Sequence, residues 1–219
     1  MLTLADELAL LAYDDDGTRR LGQPALGYGL AGAVLVELAI AGRVEVADKK
    51  VVVVSTERIG HDVLDDALTR IADDPLRKPK AWVEKLSKGL TDRVLDGLAD
   101  SGVLRREQDK VLLVFPRTRF PSPGGVEPPL ETEVRARLAQ AIVTDGPVDP
   151  RTAALCALIR AVQFERTVFT DQPRDLVKRR LQEISEGDWA ADATRKAIDE
   201  VQAAVSVVLV AAIVPAATS

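Results

Sequence analysis

The stretch that decides the fold runs from Gly29 to Val54 and reads GLAGAVLVELAIAGRVEVADKKVVVV. Leu30, Val34 and Leu38 recur at helical spacing, which predicts a helix with a buried face. Gly42 follows it and predicts the helix end, because glycine adopts the left-handed conformation without a Cβ penalty. The β-branched run up to Val54 predicts the second strand of a β-hairpin.

The same plan returns in Lys88–Phe115, sixty positions later. Helical apolar positions precede Gly102 there, and the run from Val111 to Val114 corresponds to Val51–Val54. One such unit cannot bury its own apolar face, so two units imply packing on a common core. The sequence therefore predicts two helix–hairpin units, with Val111–Val114 as a strand of the second.

Composition bounds the fold class and the chemistry. The chain has 219 residues, 47% hydrophobic and 29% charged, with a net charge of −5, as expected for a globular domain without broad affinity for nucleic acid. A single cysteine, Cys156, and a single histidine, His61, leave zinc sites and Cys/His catalysis without local motifs. We therefore expect no enzyme, no cofactor, no catalytic residues and no metal.

Small residues at Gly27, Gly29 and Gly32 match a dinucleotide-binding spacing, but no strand precedes them. Close helix packing is the favoured interpretation. His61, beside Asp62, is interpreted as a helix-start residue.

The remaining pattern is helical. Thr3 and Asp6 predict a capping box, and Asp149 with Pro150 predicts another helix start. Pro116–Pro129 is predicted to be a loop. Thr194–Val214 is predicted to be a central core helix, since its apolar run is too short for the roughly 20 residues of a membrane span. The predicted fold class is mainly α, a single compact helical domain over residues 1–219 around a central apolar helix.

Several blocks of the chain, in their order and spacing, resemble the Golgi phosphoprotein family, and the resemblance extends from Thr3 to about Ile213. The blocks that carry it are Gly29-Leu-Ala-Gly32, Leu35-Val-Glu-Leu-Ala39, Gly42-Arg43, Gly60-His-Asp-Val-Leu-Asp-Asp-Ala-Leu68, Trp82-Val-Glu84, Leu86-Ser87, Gly102-Val-Leu104 and Asp149-Pro150-Arg151. The shorter bacterial members are the nearest in character.

This resemblance implies a helical core with a protruding hydrophobic β-hairpin. It implies a peripheral membrane protein that binds an anionic lipid, of the phosphatidylinositol 4-phosphate type in eukaryotic members. For this chain we expect a cytoplasmic protein associated with the inner face of the membrane.

The family's head-group positions fall on Gly22, Ala31, Lys88 and Thr91, with Arg93 close by. Only Lys88 keeps the basic character of the family, so three positions depart from its pattern. The expected head-group residues are Lys88, Arg93, Arg117 and Arg119.

The second hairpin joins an apolar run to basic residues. Val114, Phe115 and Phe120 are the expected membrane contacts, because aromatic and aliphatic side chains enter the acyl boundary while nearby cations meet phosphates. The basic residues are Arg105, Arg106, Lys110, Arg117 and Arg119. Two alternatives stay open: the apolar strand could be core, and the cations could pair with Glu107, Asp109 and Asp100. Lys178-Arg179-Arg180 is interpreted as an exposed helix face.

Two other functions compete. A protein-interaction scaffold would use the hairpin for self-association. A winged-helix-like regulator is disfavoured, because Leu30–Ala41 has no basic residue and Leu90–Asp100 has only Arg93; no nucleic-acid partner is expected.

Overall fold

The computed structural model describes residues 2–74, 76–111, 115–187 and 192–213; for residues 109–111, 115–117, 193 and 213 it describes the backbone alone. The chain is mainly helical, which confirms the predicted class. Its helices are α1 (Leu4–Leu11), α2 (Ala25–Ile40), α3 (Asp62–Ala72), α4 (Pro79–Leu86), α5 (Leu90–Asp100), α6 (Pro129–Val143), α7 (Pro150–Ala161), α8 (Glu165–Val168), α9 (Arg174–Glu186) and α10 (Asp192–Ile213). Two antiparallel hairpins join β1 (Val44–Ala47) to β2 (Lys50–Val53) and β3 (Glu107–Val111) to β4 (Phe115–Arg119).

Helix α2 is the centre of the core, and α1, α4, α7 and α10 all pack on it. Its glycines permit this close packing. A Cβ on Gly32 would lie 2.7 Å from Val205 of α10 and 3.0 Å from Leu158 of α7, and one on Gly29 would lie 2.9 Å from Leu8 of α1. The interpretation of these glycines as packing residues is confirmed.

Helix α10 differs from its prediction as a central helix. One face carries Val201, Val205 and Val208 into the core, whereas Val207 and Val210 are 52% and 53% exposed. An all-apolar sequence cannot reveal which face is covered, because burial depends on the neighbouring helices. Within the described ranges, no helix combines the length and the apolar character that crossing a bilayer requires.

The two helix–hairpin units share their helix ends. In the first, Gly42 has φ 66° and Arg43 N donates to Leu38 O at 2.8 Å. In the second, Gly102 has φ 76° and Val103 N donates to Leu98 O at 2.9 Å. Both ends form the same glycine-terminated Schellman motif, as predicted.

Beyond these ends the two hairpins differ in register. The first turns at Asp48 and Lys49, both with left-handed φ, whereas β3 continues through the matching positions and ends at Val111. Val111 lies in a strand, as predicted, but it ends β3 opposite Phe115 and does not begin the second strand. Residues 112–114 lie outside the described part. The predicted loop Pro116–Pro129 is wrong at its start, since β4 extends to Arg119.

The hairpins also differ in their surroundings. The first packs on α3 and α10, and Val44, Val46 and Val51 are buried. The second makes at most marginal contact with any other described helix or strand. Its base is held, because Arg105 N donates to Pro121 O at 2.8 Å and Ser122 N donates to Asp15 O at 2.9 Å.

A buried ion cluster joins α1, α2 and α7. Arg151, in the first turn of α7, donates to Glu37 of α2 and to Glu7 of α1, the latter at 3.3 Å. Arg137 also pairs with Glu7, at 2.6 Å. Glu37 in turn accepts from Leu4 N at 2.7 Å. Each buried carboxylate thus has a cation and further donors, which a buried ion pair needs in order to be tolerated.

Arg180 corrects the interpretation of Lys178-Arg179-Arg180 as an exposed face. Its guanidinium is buried and donates to Ala141 O and Gly146 O, at 3.2 and 3.1 Å through Nη2. Lys178 and Arg179 are exposed. Arg180 therefore holds α9 against the end of α6. The two segments are far apart in the sequence, so the local pattern could not predict this contact.

His61 precedes α3, as predicted, and its Nε2 lies 3.7 Å from Asp6 in the capping box of α1. The nearby Asp6 carboxylate raises the pKa of His61 above its ordinary 6.5, although partial burial opposes the shift. Burial opposes ionisation of Asp6, but His61 and the hydrogen bonds from Thr3 outweigh it and lower the pKa of that carboxyl.

We predict that Gly32→Ala lowers the free energy of unfolding by about 1–3 kcal/mol, because the added methyl group must displace α7 or α10. Gly97→Ala is the matched control: Gly97 lies in α5 with open space around its Cα. It should raise stability by about 0.5–1 kcal/mol. Urea denaturation measures both, and equal effects of the two substitutions would contradict the close approach at Gly32.

The His61–Asp6 pair predicts a pH dependence of stability. The raised pKa of His61 means that its stabilising contribution is complete below about pH 6.5 and is lost as the pH rises through the folded-state value. The lowered pKa of Asp6 keeps the carboxylate ionised down to acidic pH. The free energy of unfolding should therefore fall as the pH rises above about 6.5 and through the raised pKa of His61. His61→Gln should remove that part of the slope, and an unchanged slope would disprove the coupling.

Candidate functional site

A cleft of about 520 Å³ opens at the base of the second hairpin. It lies between the segment that follows α1, the start of α5 and the end of β4. We call it the α5 cleft, and its principal lining side chains are Tyr13, Arg19, Gln23, Thr91, Asp92 and Phe120.

The wall formed by the segment after α1 is held by tight backbone contacts. Gly17 has φ 78°, and a Cβ there would lie 2.8 Å from Pro121 N. Asp14 N donates to Thr18 O at 2.8 Å, which closes the turn that follows α1. The chain then returns so that Arg19 pairs in the backbone with Tyr13.

Gln23 connects this wall to the first turn of α5. Its Nε2 donates to Thr91 Oγ1 at 2.8 Å, and its Oε1 accepts from Gly27 N of α2 at 3.2 Å. Gly89 precedes α5 with φ 70°, and no side chain caps the helix. The cleft thus has hydroxyl and amide groups beside an uncapped helix start, where the helix dipole favours negative charge.

The charges in the α5 cleft are nearly balanced, with Arg19 on one wall and Asp92 on the other. Burial raises the pKa of Tyr13 above 10, although Arg19 opposes the shift. The Tyr13 phenol is consequently neutral near pH 7 and can donate a hydrogen bond. Such a lining offers hydrogen bonds to a hydroxylated group.

The predicted head-group positions are only partly brought together. Thr91 lines the α5 cleft, and the exposed Lys88 lies between Ser87 and Gly89, which also line it. Arg93 lies outside the lining and pairs with Asp66 of α3 at 2.6 Å. Ala31 is fully buried within α2.

Phe120 corrects the prediction of a mobile membrane contact. Its side chain is only 6% exposed and belongs to the core, where it closes the floor of the cleft. The hairpin base turns back over Gly17, which places Phe120 beneath the chain rather than on the outer surface. The sequence around Phe120 is rich in proline and predicts a loop. It does not reveal the contact with Gly17, which lies about a hundred positions earlier in the chain.

The basic residues at the hairpin base have acidic partners. The guanidinium of Arg119 contacts both the backbone oxygen and the carboxylate of Asp16. Arg105 pairs with Glu107 at 2.7 Å, and Arg106 pairs with Asp96. The alternative that Glu107 compensates one of these cations is confirmed. Val114 and the side chains of Phe115 and Arg117 lie outside the described residues.

Tyr13, Arg19 and Gln23 were missed by the sequence reasoning. They lie in the segment between α1 and α2, and nothing in the local sequence places them opposite α5. The adjacent Arg19 and Arg20 after an aspartate run offered a weak signal of a cationic wall.

Metal-binding geometry is absent from the part of the chain that the structure describes, where no three His, Cys, Asp or Glu residues cluster suitably. Cys156 is buried in α7, and burial raises the pKa of its thiol to about 12. The thiol is therefore protonated and unreactive in the folded protein.

Comparison with known proteins gives one consistent result. Residues 4–201 match the family model described as Golgi phosphoprotein 3 (GPP34). The chain is 28% identical over 137 residues to vacuolar protein sorting-associated protein 74 of Schizosaccharomyces pombe, and to the protein of the same name of Eremothecium gossypii. Each alignment covers 51% of this chain and 41% of the relative, so the match spans less than half the length of these relatives.

We predict that Phe120→Ala lowers the free energy of unfolding by about 3–5 kcal/mol, because it leaves a cavity between the cleft and the core. Val126→Ala is the control, since Val126 is 67% exposed and should change stability by less than about 0.5 kcal/mol. Thermal or urea unfolding measures both. A Phe120→Ala protein as stable as the wild type would restore Phe120 as a surface contact.

Proposed function

The chain belongs to the Golgi phosphoprotein 3 family, and from this premise we propose that it binds reversibly to the surface of an anionic membrane through its second hairpin. No chemical step is proposed. The lipid would be of the phosphoinositide type, and the protein would associate with the inner face of the membrane from the cytoplasm.

The observations that support this proposal most are the charge of the hairpin and its marginal contact with the other described helices and strands. Residues 105–119 hold Arg105, Arg106, Lys110, Arg117 and Arg119 against Glu107 and Asp109, a net charge of +3 in a chain of −5. The residues that join the paired Val111 and Phe115 are Leu112, Leu113 and Val114. An apolar connection on a cationic hairpin that packs on little else is suited to an anionic interface.

The energetics suit reversible attachment. Each basic residue near an anionic surface contributes about 1 kcal/mol, and burial of one leucine side chain contributes about 1.5–3 kcal/mol. Repulsion by the acidic body is screened beyond about 8 Å at physiological ionic strength. The hairpin alone could therefore attach the protein weakly, and a single charge reversal would matter.

The α5 cleft lies at the base of this hairpin and offers a second contact for a lipid. Lys88 stands at its edge, Arg19 and Tyr13 line it, and the start of α5 opens into it. Since Asp92 opposes Arg19, we propose that the cleft contributes selectivity for hydroxylated head groups and that the hairpin contributes most of the affinity.

Vesicle flotation tests the hairpin directly. We predict that Leu113→Asp lowers binding to anionic vesicles at least about tenfold, because a charge replaces a buried apolar side chain. The matched control is Leu76→Asp: Leu76 is 55% exposed and lies between α3 and α4, and its replacement should leave binding unchanged.

A charge-reversal pair tests the electrostatic part in the same assay. Lys110→Glu should weaken binding at low salt, whereas Lys50→Glu, at the matching position of the first hairpin, should not. Equal binding of Leu113→Asp and wild type would refute the hairpin as the membrane element.

Self-association through the hairpin is the second candidate, because the same apolar connection could meet a copy of itself. Sedimentation of the wild type and Leu113→Asp without lipid separates the two candidates. A concentration-dependent oligomer that Leu113→Asp abolishes, with no vesicle binding in the wild type, would favour the scaffold.

A further inference from the structure

A second cavity of about 610 Å³ lies between the end of α7, α8 and the start of α9. We call it the α8 cavity. It is lined by Arg160 of α7, Glu165 and Arg166 of α8, Phe169, and Arg174 and Lys178 of α9. Neither the hairpin nor the α5 cleft contributes a residue to it.

The four cations of the α8 cavity are unpaired. Arg160, Arg166, Arg174 and Lys178 form no ion pair or side-chain hydrogen bond with any described residue. This is unusual for the chain, because among arginines with described side chains only Arg19 also lacks an ion pair with a carboxylate. Three of the four such arginines therefore surround one cavity.

Position adds to this contrast. Arg174 and Lys178 are four residues apart on α9, so their side chains share one face and their like charges repel. The next residue, Arg179, points elsewhere and pairs with Glu183 at 3.6 Å. The cations of the cavity are thus concentrated where no carboxylate balances them, an arrangement that an anion would stabilise.

The carboxylate of Glu165 narrows the class of ligand. It lies more than 4.0 Å from every described cation, since no ion pair forms, and its Oε2 is buried without a hydrogen-bond partner among the described residues. A buried acceptor of this kind calls for a donor. The phosphate group of a monoester is mostly a dianion at neutral pH, since its second pKa is about 6, and it then offers only acceptors, whereas an alcohol hydroxyl group on the same ligand can donate.

Apolar side chains complete the wall. Phe169, Val177 and Leu181 line the cavity from buried positions. The volume lies within the range of about 300–1,000 Å³ that is typical of small-molecule sites.

We propose that the α8 cavity binds a soluble organic phosphate that carries at least two negative charges and a hydroxyl group, such as a nucleoside diphosphate or a sugar phosphate. Arg160, Arg166, Arg174 and Lys178 neutralise the phosphate, and Glu165 accepts from the hydroxyl. The site is independent of membrane binding by the hairpin.

Isothermal titration calorimetry with ADP, glucose 6-phosphate and pyrophosphate tests the site on the full chain. ADP or glucose 6-phosphate should bind, and Arg166→Ala and Lys178→Ala should each weaken that binding at least about tenfold by removing a charged hydrogen-bond donor. Arg179→Ala, its neighbour outside the cavity, should bind like the wild type. No heat from any of the three probes at about 1 mM would overturn the proposal.

Glu165→Gln separates a hydroxyl-binding site from a plain cationic patch. It should weaken binding of ADP or glucose 6-phosphate relative to pyrophosphate, which has no alcohol hydroxyl group. Equal changes for all three probes would overturn the role of Glu165. Pyrophosphate binding that Arg166→Ala, Lys178→Ala and Arg179→Ala reduce alike would mean non-specific attraction and would also overturn the site.

Two further measurements keep the proposal distinct from membrane binding and from misfolding. Without ligand, Lys178→Ala should be at least as stable as the wild type, because it relieves repulsion with Arg174. Loss of flotation with anionic vesicles in Arg166→Ala, without binding of any soluble phosphate, would assign the cavity to a lipid and overturn a soluble ligand.

Discussion

The absence of a side chain at Gly32 lets α7 and α10 close on α2, and the arrangement of the other helices follows from that contact. With α2 enclosed, Glu37 on its flank is brought to Arg151 at the start of α7 and, through Arg151, to Glu7 of α1. The apolar contact and the ion cluster thus support one another. The cluster is tolerated because its carboxylates are paired with arginines and accept further hydrogen bonds, and it fixes which ends of the helices meet.

Charge is distributed unevenly over this scaffold. Most arginines are matched by a carboxylate, including Arg93, Arg106 and Arg119 near the candidate cleft. Among the described side chains, the arginines that lack a carboxylate partner are concentrated at the α8 cavity, while the sequence of the second hairpin carries a net charge of +3. A strongly acidic body with local cationic regions avoids general attraction to polyanions while it keeps specific contacts. The proposed membrane element and the proposed phosphate site share no residue, so the two proposed ligands would not compete.

Local chemistry allowed much of the fold to be predicted from the sequence. The glycine-terminated ends at Gly42 and Gly102, the Thr3 capping box and the Asp149 helix start each depend on neighbours within a few residues. The predictions that failed depend on distant ones. Val51 and Val111 follow similar patterns, yet only the first hairpin meets a helical layer. From the sequence Phe120 and Arg180 were expected to be exposed. In the structure the segment at Gly17 covers Phe120, and the end of α6 covers Arg180. The candidate cleft was predicted only in part for the same reason. The position of Thr91 followed from the family pattern, but Tyr13 and Gln23 belong to a segment that only the fold brings opposite α5.

Cys156 has a consequence for observing this molecule in solution. The sulfhydryl lies at the middle of α7, sealed by the same helices that enclose α2, and it stays protonated at any physiological pH. An alkylating reagent can reach it only when α7 separates from its neighbours. The rate at which this sulfur is alkylated therefore reports how often the helices around α7 open. Because Cys156 lies in neither the hairpin nor the α8 cavity, that rate does not depend directly on either of them.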